Sequence, residues 1–336
     1  MDSGRLQELL DHFPGVTVLV VGDFFLDKYL DIDSRLSEPS LETGLESYQV
    51  TNIRRYPGAA GAVANNLRAL DANVIALGVI GEDGEGDDLR RGLDLIGVES
   101  DGLIRAPGRF TPTYLKPMLQ QGNTPARELN RFDTKNHTPL PVEIETEVIL
   151  RLHGLFRRSL GVVIVDQVSE PNCGVITDQV RLEISELARA NSATIVLADS
   201  RERIGEFRDV ILKPNIREAT RATGLADLAA AGRELRHRAH RPVIVTHGDQ
   251  GMYLFELEGE QHIPAIPVAG LIDVVGAGDS AMAALVAALC AGGTLAEAAL
   301  VGNLAASLTI QQLGVTGTTT RGQILARFEE AGLSYL

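Results

Sequence analysis

Tryptophan is missing altogether from this chain, and only two cysteines occur, Cys173 and Cys290. Their separation fits neither a metal cluster nor a redox pair, so a disulfide scaffold is excluded and free thiols in a reducing cytoplasm are expected. Lysine is scarce, with only Lys28, Lys116, Lys135 and Lys213 present, so any lysine inside a motif is informative. Positive charge is in deficit overall: the net charge of −14 leaves no basic face for nucleic acid, although a local cluster could still hold an anionic substrate. Long apolar runs are absent too. The longest, 281–293, is too short to span a bilayer, and the start "MDSGRLQELLDHFPG" reads as an amphipathic helix without the features of a signal peptide. No internal repeat or low-complexity tract occurs.

What is present is ordinary for a globular protein: 44% hydrophobic and 23% charged residues. The length suits one large α/β domain with a small appendage. "VTVLVVGD" (16–23) is a continuous β-branched run, the signature of a strand buried on both faces of a parallel sheet. Similar strands are expected at "NVIALGVIG", "GVVIVD" (161–166), "ATIVLAD" (193–199), "DVILKPN" (209–215) and "PVIVTHG" (242–248), where the run closes. Helices are expected near 59–70, 84–96, 175–190, 279–291 and 295–312. Alternating strands and helices predict right-handed βαβ units in a doubly wound, mostly parallel sheet with helices on both faces. Two segments break the rhythm, near 32–56 and 108–135; both carry strand-like patches without a following helix. They predict a small β lid over the carboxyl edge of the sheet, where ligands bind in open α/β folds. The acidic stretch "GEDGEGDD" (81–88) lacks the ligand steps of a calcium loop and reads as a solvated helix start.

The chemistry concentrates in "DVVGAGDSAMAAL" (273–285). A glycine turn at the head of an apolar helix places the amides of Gly276, Ala277 and Gly278 where an anion can be held. Asp279 projects beside them. The same letters fit a loose dinucleotide fingerprint, but two helices follow instead of a βαβ unit, and an aspartate would repel a resting pyrophosphate. Phosphoryl transfer reconciles the parts: the carboxylate accepts a hydroxyl proton while the amides hold the developing charge.

This stretch resembles the C-terminal signature of the PfkB, or ribokinase-like, carbohydrate kinases, and the similarity runs in order along nearly the whole chain. The resemblance implies a single ribokinase-like domain over 1–336, with Asp279 as catalytic base and Gly276, Ala277 and Gly278 as anion hole. "GDFFLDKY" (22–29) resembles the first strand end of the family, which would turn Asp23 and Asp27 toward sugar hydroxyls. "KPNIRE" (213–218) resembles the Asn-x-x-Glu motif, in which Asn215 and Glu218 order Mg²⁺ through water; a helix capping box is the alternative reading, and the two are compatible. Lys213 would add charge near the nucleotide. Thr246, Gly248 and Gly251 in "VTHGDQG" and Asn303 in "GNLAAS" match nucleotide-side positions. Asp273, Val275 and the 311–317 stretch fall where many members hold a monovalent cation such as K⁺.

Within the family, "DSRLSEPS" (33–40), "RRYPGAAGAVANNLRAL" (54–70), "PTYLK" (112–116) and "LNRFD" (129–133) most resemble the branch acting on D-glycero-β-D-manno-heptose 7-phosphate. That branch implies Lys116 and Arg131, backed by Arg35, as grips for a sugar phosphate, with Gly58, Ala59 and Asn66 near the sugar. The sequence also departs from the family: Ala59 follows Gly58 where a second glycine is usual, Ala62 stands at the asparagine position, and "DQVSEPNCG" (166–174) replaces a Tyr-Gly-Lys-Gly-type segment. The expected enzyme is therefore an ATP- and Mg²⁺-dependent sugar kinase, paired as a homodimer through lid edges. Its rivals are a kinase for an unphosphorylated sugar or a nucleoside, a catalytically silent binder of sugar and nucleotide, and a nicotinamide oxidoreductase.

Overall fold

In the strand Thr17–Gly22, Val18 and Val20 face one hydrophobic core while Leu19 and Val21 face a second, and all four are fully buried. Period-two alternation with both faces apolar is what a central strand between two helical layers requires. The computed structural model describes residues 1–122, 124–314 and 316–332. Its main sheet has nine strands, ordered Glu260–Ile263, Met252–Phe255, Val243–Thr246, Ile211–Leu212, Ile195–Ser200, Gly161–Asp166, Thr17–Gly22, Asn73–Gly81 and Leu103–Ala106. From Val243–Thr246 onward in that order every pairing is parallel. Chain direction across the sheet reverses between Thr17–Gly22 and Gly161–Asp166, so the crevice beyond their carboxyl ends is the position favoured for a ligand.

The sheet does not close at 248. A hairpin, Met252–Phe255 with Glu260–Ile263, extends the edge in antiparallel pairing. Within 209–215 only Ile211–Leu212 is strand, although the Lys213 N–H still donates to Ala198 O and Pro214 O still accepts from the Thr246 N–H. The helices Val142–Phe156 and Leu228–Ala239 and the strand Leu103–Ala106 also stand where no element was expected.

The lid is a second sheet and begins earlier than the sequence suggested. Directly after Asp23 the chain runs into Phe24–Asp33, which pairs antiparallel with Val50–Ala59 and parallel with Thr113–Gln120. The short strands Arg127–Glu128 and Phe132–Thr134 flank Thr113–Gln120. One continuous segment therefore carries the chain from the main sheet into the lid, and Asp27 lies on it.

The helices Ala277–Cys290 and Leu295–Thr309 pack together under the sheet and are buried nearly all round. Their small residues let them sit deep in the core, so the Asp279 turn stands at the head of a buried helix.

Candidate active site

The Gly276 backbone lies in the left-handed region at φ 80, and a side chain there would come within 2.9 Å of Thr316 Cγ2. Glycine is needed for both reasons. The helix starts at Ala277, whose N–H reaches Val274 O at 3.3 Å. The Gly278 N–H has no hydrogen-bond partner among the described residues, and the space a Cβ would occupy there is empty to 4 Å. A free amide beside open space at a helix N-terminus is a place for an anion.

Asp279 follows in the first helical turn, partly exposed. Burial, then the negative charges of Asp199 and Asp27, push its pKa up to about 7, against the opposing pull of Lys213 and Arg201. A carboxyl group poised near neutrality is suited to general-base work. Asp199 is the last residue but one of its strand, and its Oδ2 lies 2.6 Å from the Lys213 ammonium. Lys213 is only 3% exposed, so its charge is spent inside the protein and is not presented directly to a nucleotide. Neither Asp199 nor Arg201 stood out in the sequence; a carboxylate near the end of a buried strand at the ligand-binding edge was the available signal.

Asn215 and Glu218 form a complete capping box. Asn215 Oδ1 accepts from the Glu218 N–H at 3.0 Å, and Glu218 Oε2 accepts from the Asn215 N–H at 2.8 Å. Burial, then Asp199, raises the Glu218 carboxyl to about 7. No group of three or more His, Cys, Asp or Glu side chains placed to hold a metal ion occurs among the described residues, so Asn215 and Glu218 could act on a divalent cation only through its waters. Thr246 joins the group, since its backbone bridges to Asn215. A cavity of about 440 Å³ then runs past Gly248, Ile266, Ile272 and Val274 to Ala277 and Asn303. Its walls are mostly apolar, and it opens on the glycine turn. Both amide hydrogens of Asn303 are taken by Ile263 O and Pro264 O, so Asn303 shapes this wall by holding the hairpin. Gly251 is outside the lining; at φ 89 it lets the hairpin backbone pass, where a Cβ would fall 2.2 Å from Ile263 O.

Asp273 bonds to the Val275 and Gly314 amides at 3.0 and 3.2 Å, which brings 273–275 against the 311–314 segment. Val315, in the 311–317 stretch expected at the cation, lies outside the described residues.

On the lid side, Asp27 is 9% exposed and its Oδ1 has no hydrogen bond. Lys116 Nζ stands 3.3 Å from that oxygen and hydrogen-bonds to Tyr29 Oη at 3.1 Å. Gly58 lies flat over the carboxylate, where a Cβ would approach Asp27 Cγ to 3.0 Å. Ala59 adopts φ 51, ψ −117, a backbone region suited to glycine. Lid cations expected to face a phosphate are partnered: Arg131 with Asp133 and the Tyr114 ring, and Arg35 with Asp33.

Two expected sugar contacts point elsewhere. Asp23 is 3% exposed, and its carboxylate is consumed by the amides of Gln167, Val168 and Val175, so it clamps the 166–175 loop. Burial raises its pKa against those three bonds. Asn66 is 1% exposed inside its helix and donates back to Ala62 O. Below the loop, Arg203 pairs with Asp166 at 2.6 Å; burial, then Asp23, lifts Asp166 to about 6.

The pattern of the pfkB family carbohydrate kinases matches residues 27–321. The chain belongs to this family. As a pfkB carbohydrate kinase it is similar to the bifunctional protein HldE of Trichlorobacter lovleyi (30% identical, covering 97% of this chain and 65% of that protein) and of a Bradyrhizobium strain (31%, covering 82% and 56%). The chain thus spans less than two-thirds of the length of these relatives. Among solved structures, this pfkB kinase is similar to the ribokinase of Arabidopsis thaliana complexed with ribose and ATP (TM-score 0.69, 21% identical, 95% of this chain and 99% of that one). It is also similar to the nucleoside kinase of Methanocaldococcus jannaschii (TM-score 0.63, 20% identical, 94% and 98%). These likenesses establish the ribokinase-like fold.

Proposed function

We propose that this carbohydrate kinase transfers the γ-phosphoryl group of ATP to a hydroxyl of a sugar or sugar phosphate, with a heptose 7-phosphate as the first candidate. The observation that carries the reading is a buried lid carboxylate, Asp27, whose Oδ1 faces only the Lys116 ammonium at 3.3 Å, together with a carboxylate poised near neutrality, Asp279, beside an apolar cavity. Asp27 supplies what a substrate hydroxyl needs in order to be oriented. The cavity supplies an apolar bed for a base and ribose. In the reaction the sugar oxygen attacks the γ-phosphorus in line, an O–P bond forms, the bond to the β-phosphate oxygen breaks, and ADP leaves. Asp279 takes the hydroxyl proton, and the Gly278 amide with its neighbours meets the charge on the moving group. Mg²⁺, when bound, would neutralise phosphate charge, and Asn215 with Glu218 are the residues placed to hold its waters. The 273–275 and 311–314 contact supports a monovalent-cation site there.

The partnered lid cations favour a second reading, a kinase for an unphosphorylated sugar or nucleoside, because Lys116, Arg131 and Arg35 already face carboxylates. ADP release measured against a panel of heptose 7-phosphate, hexose phosphates, free sugars and nucleosides separates the two. Turnover with the heptose phosphate at a kcat/KM well above its dephosphorylated form supports the first reading; the reverse order supports the second. Binding without turnover anywhere in the panel would sink the kinase proposal.

The lid exposes Leu36, Leu45, Tyr48, Val50, Ile53 and Phe132. Such an apolar, strand-edged surface supports dimerisation through the lid. No helix among the described residues is long and apolar enough to cross a membrane.

A further inference from the structure

The helix Ala277–Cys290 packs against the strands Gly161–Asp166 and Ile195–Ser200. A Cβ on Gly161, the first residue of its strand, would fall 2.6 Å from Sγ of Cys290, the last residue of the helix. The helix thus ends where the strand begins, and its mouth lies toward the strand's carboxyl end. About 17 Å separate Cys290 from Asp279 along the helix, and about 17 Å separate Gly161 from Asp166 along the strand. Asp279 is therefore level with the residues that follow the two strands. Of the cations directly after Ile195–Ser200 and Ile211–Leu212, Lys213 is paired with Asp199 and Arg203 with Asp166, both at 2.6 Å. Arg201 is exposed and forms no ion pair among the described residues. Its N–H donates to Asp166 O at 3.0 Å, which carries the ladder between the two strands one residue past Ser200. Its Nη2 donates to Gln167 Oε1, also at 3.0 Å. Gln167 is fixed in turn, because its own N–H donates to Asp23 at 2.8 Å. A neutral acceptor orients the guanidinium without cancelling its charge.

Strand order sets where this cation stands. Ile195–Ser200 is the second strand from Val243–Thr246, whose following turn lines the apolar cavity, and the second from Thr17–Gly22, which runs on into the lid. At a strand spacing of about 4.8 Å, the Arg201 backbone lies roughly 10 Å from each. We propose that Arg201, aimed by Gln167, clamps the phosphoryl group in transit between the nucleotide cavity and the sugar under the lid. While Gln167 holds one N–H, the rest of the planar fork is left to donate to phosphoryl oxygens. Arg201 then shares with the Gly278 amide the charge on the moving group. Gln167 is a positioning residue and touches no reactant.

The inference rests on the reading of the chain as an ATP-dependent kinase, and the experiment keeps the two apart. Calorimetric binding of ADP and of β,γ-imido-ATP, each with Mg²⁺, is measured beside kcat with ATP and the best acceptor of the sugar panel. The proteins are the wild type, Arg201→Gln, Arg201→Lys and Gln167→Leu. A wild type that turns over no acceptor sinks the kinase reading, and this inference with it. With turnover present, Arg201→Gln is expected to hold ADP within about twofold, to bind the imido analogue about tenfold or more weakly, and to lower kcat about 10²-fold or more, since a charge-assisted bond to the third phosphate is gone. Arg201→Lys keeps the charge without the fork and is expected to recover at least about fivefold of the lost kcat. Gln167→Leu leaves the guanidinium unaimed and is expected to lower kcat by about threefold to tenfold with ADP binding unchanged. Equal losses for ADP and the imido analogue in Arg201→Gln, or a kcat within about threefold of wild type, overturn the inference and leave the kinase reading standing. Should Arg201→Gln fail to fold, Arg201→Lys carries the comparison: the imido analogue is expected to weaken by about threefold or more while ADP holds, and unchanged binding of both overturns the proposal.

Discussion

Three glycine-type positions near the site show how differently single residues can be constrained. Gly276 is required by its backbone angle and by Thr316. Gly278 has ordinary helical geometry and open space in front, so its constraint would come only from a ligand. Gly278→Ala is therefore expected to leave stability unchanged or raise it by about 0.5–1 kcal/mol, since alanine favours helix, while kcat falls at least tenfold. Thermal melts beside initial rates check this; a variant of full activity would remove the anion hole from the account. Ala59 shows the converse, a side chain where the backbone favours none. Ala59→Gly is expected to release about 1–3 kcal/mol of strain and to lose about 0.5–1 to chain entropy, for a net gain measurable by urea unfolding. A clear loss of stability would show that the methyl contact with the Phe25, Val168 and Cys173 cluster outweighs the strain.

At the scale of elements, the sequence was most legible where one constraint dominated. Continuous β-branched runs marked the parallel strands, and Gly276 to Asp279 marked the helix mouth. Elements whose form depends on a partner were not legible. The hairpin Met252–Phe255 with Glu260–Ile263 exists because an open sheet edge receives it, and Phe24–Asp33 becomes lid because two other strands bracket it. Asp23 and Asp27 illustrate the limit: four residues apart, one clamps a loop through three amides and the other faces the Lys116 ammonium in the lid. Only the path of the backbone separates them. Asp27→Asn is expected to raise the sugar KM by about tenfold or more while the nucleotide KM holds, since the lost charge would serve a substrate hydroxyl and Lys116, both on the lid side. Equal rises in both constants would place Asp27 outside the sugar site.

For the whole molecule, Asp166, Glu218 and Asp279 share one property: each has a folded-state pKa raised above the usual carboxylate range, to about 6, 7 and 7. Groups raised in this way bind more protons folded than unfolded between about pH 4 and their folded values. Their contribution to stability is complete below that window and is lost as pH rises through it. The ligand-free enzyme is thus expected to carry electrostatic strain at pH 8 that Asp279→Asn relieves. Its melting temperature should exceed that of the wild type by a few degrees at pH 8, with the gap closing below pH 6. A constant gap across that range would mean that Asp279 is not a strained carboxylate.

The same variant tests the central claim most directly. Asp279→Asn, assayed for ATP binding by calorimetry and for phosphoryl transfer to the best sugar of the panel, is expected to bind nucleotide as the wild type does and to turn over about 10²–10⁴-fold more slowly. Turnover within a few-fold of wild type would contradict the account.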